Sequence, residues 1–248
     1  MITIKSKSEI EKMRLAGKIT GDALRLIEKH IRPGVSTLEL DKIAYDFIKK
    51  QGAIPSFLNY NGFPGSICAS PNSWVVHGIP SKNIVLKEGD IISIDMGACK
   101  DGYHGDAART FAVGKISDEA QKLIDVTKQS FFEGIKHATH GAKLGDVSAA
   151  IQEYVEKHGY SVVRDLVGHG IGRNLHEDPS VPNFGRAGKG VKLAAGMTIA
   201  VEPMVNEGEY DVVVLDDDWT VETEDGSLSA HYENTILITR GECEILTL

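Results

Sequence analysis

Apolar residues recur along this chain in two alternating rhythms. From Ser8 to Arg32, Ile10, Met13, Ala16, Leu24, Ile27 and Ile31 fall at helical intervals, and Pro33-Gly34 closes the run. A second helix follows, with Leu40, Ile43, Ala44, Phe47 and Ile48 on one face. Ser36 and Glu39 stand as its capping box and Gly52 as its stop. The rhythm then changes: Ile91–Gly97 is a near-continuous apolar run, and Tyr103–Val113 follows a turn over Cys99-Lys100-Asp101-Gly102. That pattern predicts a β-hairpin, with Asp95 at the end of its first apolar strand. Helical spacing resumes from Ser117 to about Ala138, through Ala120, Leu123, Ile124, Phe131 and Ile135.

The order helix, helix, strands occurs twice. Moving the apolar positions of the second helix on by 107 gives Val147, Ala150, Ile151, Tyr154 and Val155, and Gly52 falls on Gly159. The same offset lays Leu86–Asp95 over Leu193–Glu202, so that leucine, glycine and a terminal carboxylate coincide. A constant offset over two elements argues for internal duplication. We therefore expect one domain over residues 1–248, built from pseudo-symmetric halves of about 1–115 and 116–248, with no linker between them.

The candidate chemistry lies in this duplicated frame. An acid at the end of an apolar strand is costly unless something positive meets it. For Asp95 alone, solvation or a pair with Arg109 would suffice. Asp106 lies on the opposing strand of the hairpin, Glu202 is the repeat partner of Asp95, and Glu233 sits within the apolar stretch Ala230–Ile238. A single glutamate in a strand usually faces solvent. Four carboxylates in two symmetric strand pairs would instead converge, and such a cluster needs divalent metal, most simply two ions. His169, flanked by Gly168 and Gly170, adds an imidazole, which suits Mn, Fe, Co or Zn better than Mg or Ca. A lone histidine is more often structural, yet His77 and His176 also have glycine- or acid-rich neighbours. His30, His137, His140 and His158 fall on helix ends and charged faces and read as surface residues.

Composition narrows the class. The chain has 248 residues, is 42% hydrophobic and 25% charged, and carries a net charge of −8. That balance disfavours a general nucleic-acid binder. No apolar run reaches the roughly 18–20 residues of a membrane span, and the N-terminus lacks a signal-peptide core. Three cysteines, Cys68, Cys99 and Cys243, fit free thiols in a reducing cytoplasm. The glycine-rich stretch Gly185–Gly190 lacks the preceding strand of a phosphate cradle and reads as a surface loop.

At Cys68–Asn72, Val76–Pro80, Ile94–Gly97, Tyr103–Asp106, Gly168–Gly172, Leu175–Glu177, Val201–Pro203 and His231–Thr235 the sequence closely resembles the type I methionine aminopeptidases. The resemblance covers essentially the whole chain. It implies the α+β pita-bread fold, with a central antiparallel sheet flanked by helices, and removal of an N-terminal methionine when the second residue is small. By the same resemblance, Asp95, Asp106, His169, Glu202 and Glu233 would hold two divalent ions, with Asp106 and Glu233 bridging. Glu202 would take a proton from the attacking water, while His77 and His176 would act on the scissile amide and the oxyanion. Phe57, Tyr60, Phe63, Cys68, Leu175 and Trp219 would wall the methionine pocket. Phe57, Phe63 and Leu175 depart from the cysteine, tyrosine and phenylalanine of several relatives, which alters the pocket's shape. Asn72 and Ser229 resemble residues beside a sodium or potassium ion.

The family further implies a cytoplasmic monomer acting on N-terminal methionine peptides and nascent chains, with ribosome contact but no membrane or specific nucleic-acid partner. The absence of a long second-half insertion, and of an extension before Ser8, favours type I, and a short chain of this kind looks bacterial. Ile2 is bulky, so the chain is expected to keep its own Met1. Three rivals share the fold: an X-Pro peptidase, a metal-free binding module and a metal-independent creatine-type hydrolase.

Overall fold

A computed structural model describes all of residues 1–248. Four helices carry the helical rhythm: α1 (Lys7–Glu28), α2 (Thr37–Lys50), α3 (Asp118–Ile135) and α4 (Leu144–Lys157). Two of them stop earlier than their apolar spacing predicts. The last turns tighten, with His30 N–H bonding Ile27 O at 2.8 Å and His137 N–H bonding Gly134 O at 3.0 Å, which ends the α-helical ladder. At the start of α2, Ser36 Oγ accepts from Glu39 N at 3.3 Å and the Glu39 carboxylate accepts from Ser36 N at 2.9 Å, the reciprocal cap expected there.

The strands of the first half form an antiparallel sheet: β1 (Ile67–Pro71), β2 (Ile91–Lys100) and β3 (Tyr103–Ala112), with β2 between the others. The turn between β2 and β3 is only Asp101-Gly102, both at positive φ (51° and 76°). This left-handed pair makes a two-residue hairpin turn, so Cys99 and Lys100 stay paired, with His104 and Tyr103. The strand thus runs past Gly97, and Asp95 lies in its middle rather than at its end. In the second half come β4 (Gly168–Gly170), β5 (Glu177–Val181), β6 (Thr198–Val201), β7 (Met204–Asn206), β8 (Ser229–His231) and β9 (Asn234–Leu237). β9, β6, β4 and β5 are successive antiparallel neighbours, and β7 pairs with β8.

Helices α2 and α4 begin and end 107 residues apart, as do the starts of β2 and β6. Gly34 N–H bonds Leu86 O at 2.8 Å, and Gly141 N–H bonds Leu193 O at 2.9 Å. Both glycines sit at positive φ (89° and 96°), where a side chain would be strained. Each half also has its own core. Leu24, Ile48, Ile67, Ile94 and Met96 pack together in the first, and Leu123, Phe131, Ile151, Ile199 and Ile236 in the second.

The halves meet along β3. Glu233 N–H bonds Ala108 O at 3.0 Å. On either side a threonine hydroxyl substitutes for a backbone partner. Thr110 Oγ1 accepts from His231 N at 2.8 Å, and Thr235 Oγ1 accepts from Asp106 N at 3.0 Å. A buried ion pair, Lys5 Nζ to Glu177 Oε2 at 2.6 Å, ties the N-terminal segment to β5.

Candidate active site

The register of the sheets decides where the acids point. Asp95 pairs with Ala108, and Asp106 lies two residues from Ala108 on β3, so both carboxylates project from the same face. The seam that pairs Ala108 with Glu233 brings the third acid alongside. β6 ends at Val201 and delivers Glu202 from the second half, while β4 delivers His169. Ligand atoms of Asp106, His169 and Glu233 all lie within 4.8 Å of one another. His169 Nε2 is 3.7 Å from Asp106 Oδ2 and 3.7 Å from Glu202 Oε1. Asp95 lines the same cavity.

These groups are buried and short of partners. Asp95 Oδ1, Asp106 Oδ1 and Glu233 Oε1 are out of solvent with no hydrogen bond. Burial pushes the Asp95 carboxyl up to about 7 and drives Asp106, Glu202 and Glu233 well above their usual range, mutual repulsion adding to the effect for the last three. Arg109 does not neutralise them. Its guanidinium donates to the carbonyls of Ala108 and Glu233 and, at 2.7 Å, to Asn234 Oδ1. Orphaned carboxylate oxygens around an imidazole nitrogen fit a divalent cation, which would supply the positive charge this centre lacks.

The tautomer of His169 fits as well. Its Nδ1 lies 2.8 Å from Gly170 O, so Nδ1 carries the proton and Nε2 turns a lone pair to the acids. Burial lowers its pKa to about 3, which keeps the ring neutral. The flanking glycines are dictated by close packing. A Cβ at Gly168 would stand 2.4 Å from Ala200 O, and one at Gly170 2.0 Å from Asp178 O.

His77 and His176 face the same cavity. His77 holds positive φ (60°), unusual for a residue with a side chain, and burial lowers its pKa to about 4. His176 Nδ1 lies 2.8 Å from Tyr60 Oη, and its ring packs edge-on to His169 with centroids 4.1 Å apart. When the Tyr60 hydroxyl donates to Nδ1, Nε2–H is the donor of the neutral ring. The resemblance implies Tyr60 only as a pocket wall, and the contact with His176 adds to that.

The cavity measures about 300 Å³. Phe57, Tyr60, Phe63, Cys68, Leu175 and Trp219 all line it, as does Met204, which the sequence did not single out. The Phe63 and Trp219 rings meet edge to face at 5.1 Å. Asn72 and Ser229 are neighbours, with Ser229 N–H bonding Asn72 O at 2.9 Å. Their side-chain oxygens are already engaged. Asn72 Oδ1 accepts from Ile91 N at 3.1 Å, and Ser229 Oγ lies 2.9 Å from Asn206 Oδ1. All three cysteines are free, as expected.

Comparison with known proteins agrees with this geometry. Residues 11–240 match the model for metallopeptidase family M24. A methionine aminopeptidase of Clostridium acetobutylicum is 62% identical over 248 residues, covering 100% of this chain and 99% of the relative. The crystal structure of methionine aminopeptidase from Rickettsia prowazekii superposes with a TM-score of 0.98 at 48% identity, over 100% of both chains. An Xaa-Pro dipeptidase from Bacillus anthracis shares the fold less closely, with a TM-score of 0.78 and 27% identity over 98% of this chain and 61% of that one. The chain therefore belongs to metallopeptidase family M24 and has its pita-bread fold. Within that family it groups with the bacterial type I methionine aminopeptidases rather than with the Xaa-Pro peptidases.

Proposed function

We infer that the chain is a metal-dependent aminopeptidase that removes the N-terminal methionine of nascent proteins whose second residue is small. The observation that carries the reading is the set of orphaned buried carboxylate oxygens, with His169 Nε2 among them, on the wall of an apolar pocket. We assign Asp95, Asp106, His169, Glu202 and Glu233 as the ligands of two divalent ions, of Co, Mn, Fe or Zn. Such ions supply Lewis-acid polarisation of the peptide carbonyl and lower the pKa of water from about 15.7 towards about 7.

The chain's own residues do the rest. The apolar pocket binds the methionine side chain and keeps bulk water away from the first peptide bond. Glu202 takes the proton from the attacking water. His176, oriented by Tyr60, donates from Nε2 to the developing oxyanion. His77 contacts the scissile amide nitrogen and assists the leaving amine.

By resemblance to the family, a sodium or potassium ion would sit beside Asn72 and Ser229. We further propose a single pseudo-symmetric domain that acts as a cytoplasmic monomer and docks at the ribosome. No helix is long and apolar enough to cross a membrane. Ile2 should leave Met1 in place, which intact-mass analysis of the purified chain will read.

Glu202→Ala, assayed on Met-Ala-Ser with Mn or Co present, tests the assignment. Turnover should fall by several orders of magnitude with the circular dichroism of the parent retained. Near-normal turnover would refute the assigned base and ligand. Faster cleavage of Ala-Pro than of Met-Ala-Ser substrates by the parent would point to the X-Pro reading.

A further inference from the structure

One histidine beside the centre, His231 on β8, is buried (1% exposed) with both ring nitrogens unpaired. A buried imidazole without partners is costly, and native proteins keep such groups for a reason. Nothing about the backbone leaves the ring free to find a partner elsewhere. His231 N–H bonds Thr110 Oγ1 at 2.8 Å, and His231 O accepts from the same hydroxyl at 3.0 Å. Its strand is also paired with β7, opposite Met204.

Nε2 of this ring lies 3.9 Å from Oε2 of Glu202. That is beyond a hydrogen bond, which needs about 2.7–3.2 Å, but a carboxylate movement of about 1 Å would make one. The main chain of Glu202 is fixed, since its carbonyl accepts from Asn183 Nδ2 at 3.0 Å. The side chain is therefore the part that adjusts. Its other oxygen, Oε1, is the one 3.7 Å from His169 Nε2. The carboxylate thus stands between two imidazoles, one held by Gly170 O and one unclaimed.

We propose that His231 is a positioning residue for Glu202: its Nε2–H donates to Oε2 and sets which way the carboxylate faces in the metal centre. The inference deepens the assignment of Glu202 as ligand and base, and rests on it. His231 does not line the substrate cavity and acts only through Glu202. Its loss should loosen metal binding and slow turnover together, because partners that orient a ligand typically carry about 10–100-fold in metal affinity or activity.

Three variants test this: His231→Leu, which fills the space without a donor, His231→Ala, and His231→Gln, whose amide can donate from a similar position. The readouts are Co affinity by titration calorimetry, kcat and KM for Met-Ala-Ser, and the melting temperature of the metal-free protein. Leu and Ala should each weaken Co binding by about tenfold or more and lower kcat with little change in KM. Gln should recover most of both, whatever the order of melting temperatures. Parental Co affinity in the Leu and Ala variants would overturn the proposal, and so would a Gln variant as impaired as Ala, since that outcome means packing alone. If the parent itself neither binds Co nor cleaves the tripeptide, the reading of the site falls first. If the parent does both and the variants match it, only the role of His231 falls.

Discussion

The two halves of the chain share their frame and differ in their chemistry. Helices α2 and α4 are both 14 residues long, and the turns before β2 and β6 use glycines of nearly equal φ, 92° at Gly89 and 94° at Gly196. Yet β2 is ten residues long and carries Asp95 in its middle, whereas β6 is four residues long and stops before Glu202. Pro203 follows Glu202, and a residue that cannot donate to a ladder ends the pairing there. One half thus offers a short acid held rigidly inside a strand. The other offers a longer acid at a strand end, with room to move. The difference teaches that the repeated elements build the scaffold, and that the departures from repetition give each carboxylate its own reach.

Exchanging the two acid lengths should break this division most severely. Asp95→Glu and Glu202→Asp keep charge and burial but displace each carboxylate by roughly one methylene. A misplacement of about 1 Å can cost about 100-fold, so kcat/KM on Met-Ala-Ser should fall by at least that in each variant while the far-ultraviolet spectrum stays unchanged. Parental rates in both would mean that reach is not what the two halves divide between them.

The paired turn glycines give the next largest effect. Alanine at either should cost about 1–2 kcal/mol for the left-handed backbone. At Gly196 the new methyl would also stand 2.7 Å from Ile4 Cγ2, while at Gly89 its nearest neighbour is Lys115 O at 3.9 Å. Urea unfolding should therefore rank Gly196→Ala as the less stable of the two. The helix starts come after that. Ser36→Ala removes a reciprocal cap and should cost about 1 kcal/mol. Lys143, at the matching place before α4, makes no capping side-chain bond, so Lys143→Ser should add about 0.5–1 kcal/mol. Equal and opposite shifts in the two variants would sharpen the comparison, and a destabilised Lys143→Ser would blunt it.

The smallest effect concerns the tie between the N-terminal segment and β5. Burial alone would raise the Glu177 carboxyl, but bonds from Lys5, Asn174 N–H and Thr3 outweigh it and hold the group below its ordinary value. A carboxyl lowered on folding stabilises above its unfolded pKa and loses that contribution as pH falls through the folded one. In Lys5→Met the acid limb of the melting-temperature profile should flatten relative to the parent, and an unchanged limb would remove Glu177 from the account.

Much of this was legible in the residues. The caps, the stop glycines and the offset of 107 mark helices and turns through local rules, and local rules survive folding. The five metal-type side chains were legible because acids and a glycine-flanked histidine are out of place in apolar strands. Asp95 misled in one respect. A carboxylate looked like a strand end, but Met96, Gly97 and Ala98 continue the strand, because the acid faces a polar centre rather than solvent. His231 lies in a motif the chain shares with the family, but a lone histidine is more often structural than catalytic. Its unpaired nitrogens exist only once β7 and β8 are paired and Glu202 is beside it. The Tyr60–His176 bond and the threonine seam join residues more than 100 positions apart, and no local pattern announces them.

The backbone at His77 has a practical consequence for anyone who redesigns this molecule. Its positive φ is a conformation that glycine or asparagine adopts more easily. A stability-guided search will nominate that position early, because replacement there offers relief. Followed blindly, it would remove the imidazole proposed to meet the scissile amide, so position 77 should be frozen before any such search begins.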